Sequence, residues 1–211
     1  DGVFASALTG VMDLLNLTGV TWNRIHGQPL NRQFKVQMVS RGGEPVHCTA
    51  GMRIAVDTAL ERVDQCDLVV VPTIGNEITQ VLHAERDTLE WLRFLHAGGA
   101  DLASNCTGSF LLAEAGLLDG RRATTHWGYA NKFKTDFPLV DLQENQFVTH
   151  SSNESGNIFC AAGGSAFYDL GLLLIERYCG REISTQVAKT QIIDSKRGNQ
   201  NSYTNVTLHK P

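Results

Sequence analysis

A chain of 211 residues, 42% hydrophobic and 19% charged, has ordinary globular composition and length enough for one sizeable core. Its formal net charge of −4 and pI near 6.0 argue against this chain alone gripping a nucleic-acid backbone, which takes clustered Lys and Arg. No apolar run approaches the roughly 20 residues that span a bilayer, and the start carries no signal-peptide pattern. Five cysteines without a CxxC spacing suit a reducing cytoplasm, not a disulfide framework, and no metal or cofactor is expected.

Phe4, Leu8, Val11, Met12 and Leu15 follow one face of an amphipathic helix, and Gly19 stops it. A doubly wound domain normally opens with a strand, so a strand preceding Asp1 is expected in the parent protein. Residues 34–39 alternate apolar and polar and predict a strand, and after the turn 41–45 a short strand follows at 46–48. The near-continuous apolar run 67–72 predicts a central parallel strand covered on both faces. Gly75 and Asn76 follow it, where a strand passes into a helix. Helices are predicted over 78–82 and 88–97, the second ended by Gly98 and Gly99.

The most informative stretch comes next. A short strand over 100–103 runs into Cys106, flanked by small residues, and a helix over 109–115 begins at once. That is the pattern of a nucleophile elbow, a tight and strained turn at the carboxyl edge of a sheet. Gly108 removes a Cβ where the backbone turns closely. A position just before a helix N-terminus favours a thiolate. The β-prone run 123–127 would return His126 to the same sheet edge, with Trp127 as a pocket wall. Two readings stay open for Cys106 and His126: a reactive Cys–His pair, or a polar pocket without catalysis. Thr107, Gly108, Gly75 and Asn76 complete the candidate ligand site, with backbone N–H groups suited to a carboxylate. The basic pairs Arg121–Arg122 and Lys196–Arg197 read as solvated.

Residues 147–150 and 157–160 predict two paired strands around a polar turn. Phe167, Leu170, Leu174 and Tyr178 form one face of a long helix, Gly180 interrupts it, and 183–193 predicts a last helix. From residue 194 the chain turns polar and reads as a linker, giving one domain over 1–193 and a linker over 194–211. The alternation of strands with helices implies an α/β fold: a doubly wound, mostly parallel, flavodoxin-like sheet with helices on both faces.

The run from Cys106 through Trp127 resembles the ThiJ/PfpI-like branch of the class I glutamine amidotransferase superfamily. More narrowly, with the stretches 161–170 and 188–200, it is similar to the amino-terminal domain of GlxA-type, AraC-family transcriptional regulators. That resemblance implies a class I amidotransferase-like fold, a small-molecule effector such as an amino acid or a betaine-like compound, and a homodimer. It also implies DNA binding through a carboxyl-terminal domain not in this chain. The enzymatic relatives hold an acidic residue on the first helix against the sulfur, whereas residues 4–8 here contain no Asp or Glu. True amidotransferases use a His-x-Glu pair late in the domain, and 162–169 contains no histidine. The expected function is therefore a non-catalytic, cytoplasmic sensing and dimerisation domain with no membrane partner. The alternatives are a cysteine-dependent hydrolase or deglycase-like enzyme using Cys106 and His126, and a redox sensor through Cys106.

Overall fold

Short β-branched and small-residue runs form strands here where helices can cover them on two faces, and the longer amphipathic runs supply that cover. A computed structural model of the chain describes residues 2–75, 77–194, 197, 199–200 and 203. Asn76 and Lys196, both singled out in the sequence, lie outside the described residues. The helices are α1 (Ala5–Leu17), α2 (Thr21–Ile25), α3 (Ile78–Ala84), α4 (Arg86–Ala97), α5 (Ser109–Glu114), α6 (Ala130–Asp136), α7 (Phe167–Cys179) and α8 (Arg181–Gln191). The strands are β1 (Val39–Ser40), β2 (Val46–His47), β3 (Arg53–Ile54), β4 (Thr58–Ala59), β5 (Leu68–Val71), β6 (Asp101–Asn105), β7 (Arg122–Ala123), β8 (Asp141–Leu142), β9 (Val148–Asn153) and β10 (Gly156–Ala161).

The main sheet has the order β5-β6-β10-β9, parallel through the first three strands and antiparallel at β9. Side chains alternate across it as the pleat requires. Leu102, Ile158 and Cys160 enter the core shared with α3 to α6, whereas Ala103, Phe159 and Ala161 meet Leu170 and Leu174 of α7. On that second face α1, α7 and α8 form their own cluster through Val11, Leu14, Phe167, Ile175 and Val187. Each fully buried Leu or Ile there stabilises the fold by about 1.5–3 kcal/mol. The result is an α/β sheet with helices on both faces, and β6 ends beneath Cys106.

Several sequence expectations are corrected. Residues 34–38 form no ladder; the strand is only Val39–Ser40. Phe34 and Val36 alternate because the extended chain lies on the α1–α7–α8 cluster, and Met38 pairs with Asp57 instead of a strand. The run 67–72 is not central: among the described strands β5 stands at the end of the order, half-buried along most of its length. Of the β-prone run 123–127 only Ala123 lies in a strand, β7. Arg121 is not solvated: it is 6% exposed and donates to Gly156 O at 3.0 Å and to Asn153 Oδ1. Arg197 is bound as well, through an ion pair with Asp169.

Candidate functional site

The site is built on the carboxyl end of β6, every residue of which is buried. The chain then enters a 3-10 turn, Cys106–Gly108, before α5. Cys106 has φ 57°, one of two non-glycine residues among those described with positive φ. An L-residue in that region is held at a cost of about 1–2 kcal/mol. Packing at the end of β5 imposes it. A Cβ on Gly108 would lie 2.3 Å from Pro72 O and 2.7 Å from Val71 O, so only glycine lets the turn press that close.

Threonine hydroxyls bolt the turn down. Thr107 Oγ1 accepts from Ile74 N at 3.1 Å, donates to Gly75 O at 3.2 Å and lies 2.8 Å from Thr73 Oγ1. Either hydroxyl of the Thr73–Thr107 pair can be the donor, and both side chains also act on the Cys106 thiol. The Cys106 carbonyl accepts from Ser109 Oγ at 3.0 Å and Thr125 Oγ1 at 3.2 Å. Gly75, at φ 79°, sits where a Cβ would come within 2.8 Å of Gly2 O.

Burial decides the thiol's chemistry. Cys106 is 4% exposed, and burial pushes its pKa above the ordinary thiol value, although Thr73 and Thr107 pull the other way through hydrogen bonds. The thiolate expected from the helix N-terminus is thus disfavoured. α5 has six residues, too short for its dipole to offset the desolvation. The pair of readings for His126 also changes. Its Nδ1 accepts from Gly128 N at 3.0 Å, and burial pushes its pKa below the usual imidazole range. Nδ1 therefore carries a lone pair and Nε2 the proton in the neutral ring. Among the described residues no hydrogen bond joins His126 to Cys106. The His126 ring instead faces Gly163, whose added Cβ would lie 4.0 Å from Cδ2, and stacks on the half-exposed Trp127 with centroids 5.4 Å apart.

The structure also brings in residues that sequence reasoning missed. Asn105, fully buried beside Cys106, donates from Nδ2 to Gly164 O at 3.5 Å, and its Oδ1 has no partner among the described residues. Thr73 and Thr125 join as described, and Gln200 fills the space beside residues 124–127. Gln200 is 2% exposed, accepts at Oε1 from Trp127 N (3.2 Å) and donates from Nε2 towards Glu144 O (2.9 Å), Gln146 O (3.1 Å) and Thr125 O (3.2 Å). The one signal for it was the stretch 197–200, which matched the family pattern without a role. Among the described residues no three His, Cys, Asp or Glu side chains gather as metal ligands, the five cysteines are free, and no helix is long and apolar enough to cross a membrane. One concavity of about 450 Å³ lies between Leu60 and Phe94, with Glu61, Asp64, Asp87 and Glu90 on its walls. Another of about 500 Å³ lies beside residues 32–36. Neither includes an elbow residue.

Comparison with known proteins places this geometry in a family. The pattern of the DJ-1/PfpI family matches residues 18–177. The HTH-type transcriptional regulator CdhR of Pseudomonas aeruginosa is 34% identical over 178 residues, 84% of this chain and 49% of the regulator. Isonitrile hydratase of Pseudomonas putida is 30% identical over 158 residues, 75% of this chain and 65% of that enzyme. The chain thus spans about half the length of the regulator and about two thirds of the enzyme. A solved AraC family transcriptional regulator from Pseudomonas putida shares the fold with a TM-score of 0.66 at 19% identity, covering 90% of this chain and 95% of that one.

Proposed function

The chain belongs to the DJ-1/PfpI family, and from that premise we propose that it is the ligand-sensing and dimerising domain of an AraC-family transcriptional regulator, without catalysis of its own. One observation carries the non-catalytic half. Among the described residues, the polar groups that act on the Cys106 thiol are Thr73 and Thr107, with no carboxylate and no imidazole among them, and burial raises the thiol's pKa. A nucleophilic cysteine needs the opposite, a thiolate supported by a base or a cationic neighbour. The regulator half is supported by CdhR, which this chain matches over 84% of its own length and 49% of the regulator's. In this reading residues 1–193 are the sensor domain and 194–211 lead toward a DNA-binding domain. The protein works in the cytoplasm as a homodimer, matching the two-fold symmetry of paired half-sites.

The ligand site is the elbow and its walls: Cys106, Thr107, Gly108, Gly75, Asn76, His126 and Trp127. Thr107 serves through its backbone, since its hydroxyl is already committed. The effector class suggested by the resemblance is an amino acid or a quaternary amine. Trp127, 43% exposed, offers such a cation a ring face. A second reading, a cysteine-dependent hydrolase of the PfpI type using Cys106 and His126, is favoured by the 30% identity to isonitrile hydratase.

A thermal-shift screen of amino acids and quaternary amines, run beside a panel of hydrolase and deglycase substrates, separates the two. A bound effector raises the melting temperature; at a hundredfold excess over Kd one site adds about 2.7 kcal/mol. Turnover that vanishes in Cys106→Ser, with no compound raising the melting temperature, favours the enzyme. Sedimentation equilibrium giving a monomer at tens of micromolar speaks against the dimer.

A further inference from the structure

We propose that Arg197, Gln200 and Tyr203 together act as a strap on the walls of the elbow, so that occupancy at Cys106 and release of the strap are coupled. The proposal rests on the sensor reading only in taking the elbow as the place where a ligand acts. Two anchors hold the strap on two different walls. Arg197 pairs with Asp169 near the start of α7, donates to Ser165 Oγ at 2.9 Å and Ser165 O at 2.8 Å, and lies over the Phe147 ring at 4.8 Å. Ser165 follows Gly164, whose carbonyl receives the Asn105 amide next to Cys106.

The second anchor is Gln200. Its side chain takes the place that a neighbouring strand would take beside residues 124–127: its amide N–H reaches Thr125 O and its carbonyl oxygen receives the Trp127 N–H. Two N–H groups are shared among Glu144, Gln146 and Thr125 carbonyls and the Thr124 hydroxyl, so the side chain is fully used. Thr125 in turn donates to the Cys106 carbonyl at 3.2 Å. The chain Gln200–Thr125–Cys106 is thus a continuous run of hydrogen bonds from the carboxyl-terminal segment to the elbow. Tyr203 closes the far end, its N–H on Gln200 O at 2.9 Å and its ring edge on Phe147.

With Cys106 4% exposed, anything that reaches the thiol must first displace a wall. The wall formed by 124–127 is held in place by the side chain of Gln200, near the carboxyl-terminal end of the described residues. A ligand that moves this wall weakens the hold on Gln200, and a free strap loosens the wall. Linkage makes the two effects reciprocal.

The test uses two chemical probes on the 211-residue chain. Iodoacetamide, with the modified peptide identified by mass, reads access to Cys106. Trypsin, cutting after Arg197, reads release of a guanidinium now held by Asp169 and Ser165. Gln200→Ala and Asp169→Asn should each speed both reactions by roughly tenfold or more, since the first removes one acceptor and two donors and the second removes the carboxylate charge and one of the two oxygens that receive Arg197. In the wild type, prior alkylation at Cys106 should speed cutting after Arg197 but not after Arg93, whose guanidinium is bound elsewhere, to Ala115 O. Faster cutting after Arg197 with Cys106 alkylation unchanged would overturn the coupling, as would no change in either. Should both variants misfold by circular dichroism, the alkylated wild type decides alone, and equal cutting with and without the modification sinks the strap. A melting-temperature rise with an amine but no coupling leaves the sensor reading standing without the strap. Coupling without any such rise does the reverse.

Discussion

The Thr125 hydroxyl donates to the Cys106 carbonyl at 3.2 Å, joining two residues 19 positions apart across the end of the sheet. This bond, with Ser109 Oγ on the same oxygen, holds the elbow's peptide while the thiol stays buried and neutral. The elbow geometry is therefore kept by hydroxyl groups rather than by charged ones, and the expected behaviour of the variants follows from that.

Gly108→Ala should destabilise the fold by about 3 kcal/mol, because the new Cβ would sit 2.3 Å from a backbone oxygen that cannot swing aside. Urea unfolding should show a lower midpoint at unchanged slope. A midpoint within error of wild type would mean that the turn is not pressed against β5.

Thr107→Val keeps the shape of the side chain but strips a hydroxyl that serves Ile74 N, Gly75 O and Thr73. Burying those groups without a partner costs about 1–3 kcal/mol. Thr107→Ser should recover most of that loss, and equal losses in both variants would point to packing rather than hydrogen bonding.

Alkylation of Cys106 in the folded chain should be much slower at neutral pH than in the urea-unfolded chain. Its rate should still be rising with pH above 9.0, the ordinary thiol value, because burial shifts the thiol upward. A plateau below pH 8 in the folded protein would reveal a low-pKa thiolate and revive the enzymatic reading.

His126 contributes a pH dependence of definite sign. Burial lowers its pKa in the folded state from the ordinary 6.5, so the unfolded chain takes up the proton first as pH falls. Its contribution to stability is whole above pH 6.5 and is lost as the pH drops below that value. Protonation at Nδ1 would also end the bond from Gly128 N. His126→Gln should therefore lose less stability than wild type between pH 7 and pH 5.5, as read by urea midpoints. An identical loss in both proteins would count against the half-buried, neutral ring.

Sequence alone determined the parts whose cause is local. Small residues around Cys106 can only mean a tight turn between strand and helix, and the turn is there with φ 57°. The 3.6-residue spacing of Phe167, Leu170 and Leu174 demands a buried helical face, and α7 buries all three. Tertiary structure decided whatever depends on residues far apart in the chain. Residues 124–126 have the composition of a strand, yet their partner is the Gln200 side chain, 75 residues beyond Thr125. Arg121 and Arg197 look like solvent-facing cations until Asn153 and Asp169 are brought beside them. The thiol shows the same division. The sequence places Cys106 before a helix, where a dipole favours negative charge, but the layers packed around it remove the water that a thiolate needs. Desolvation depends on every neighbour in space, and only the folded chain specifies those.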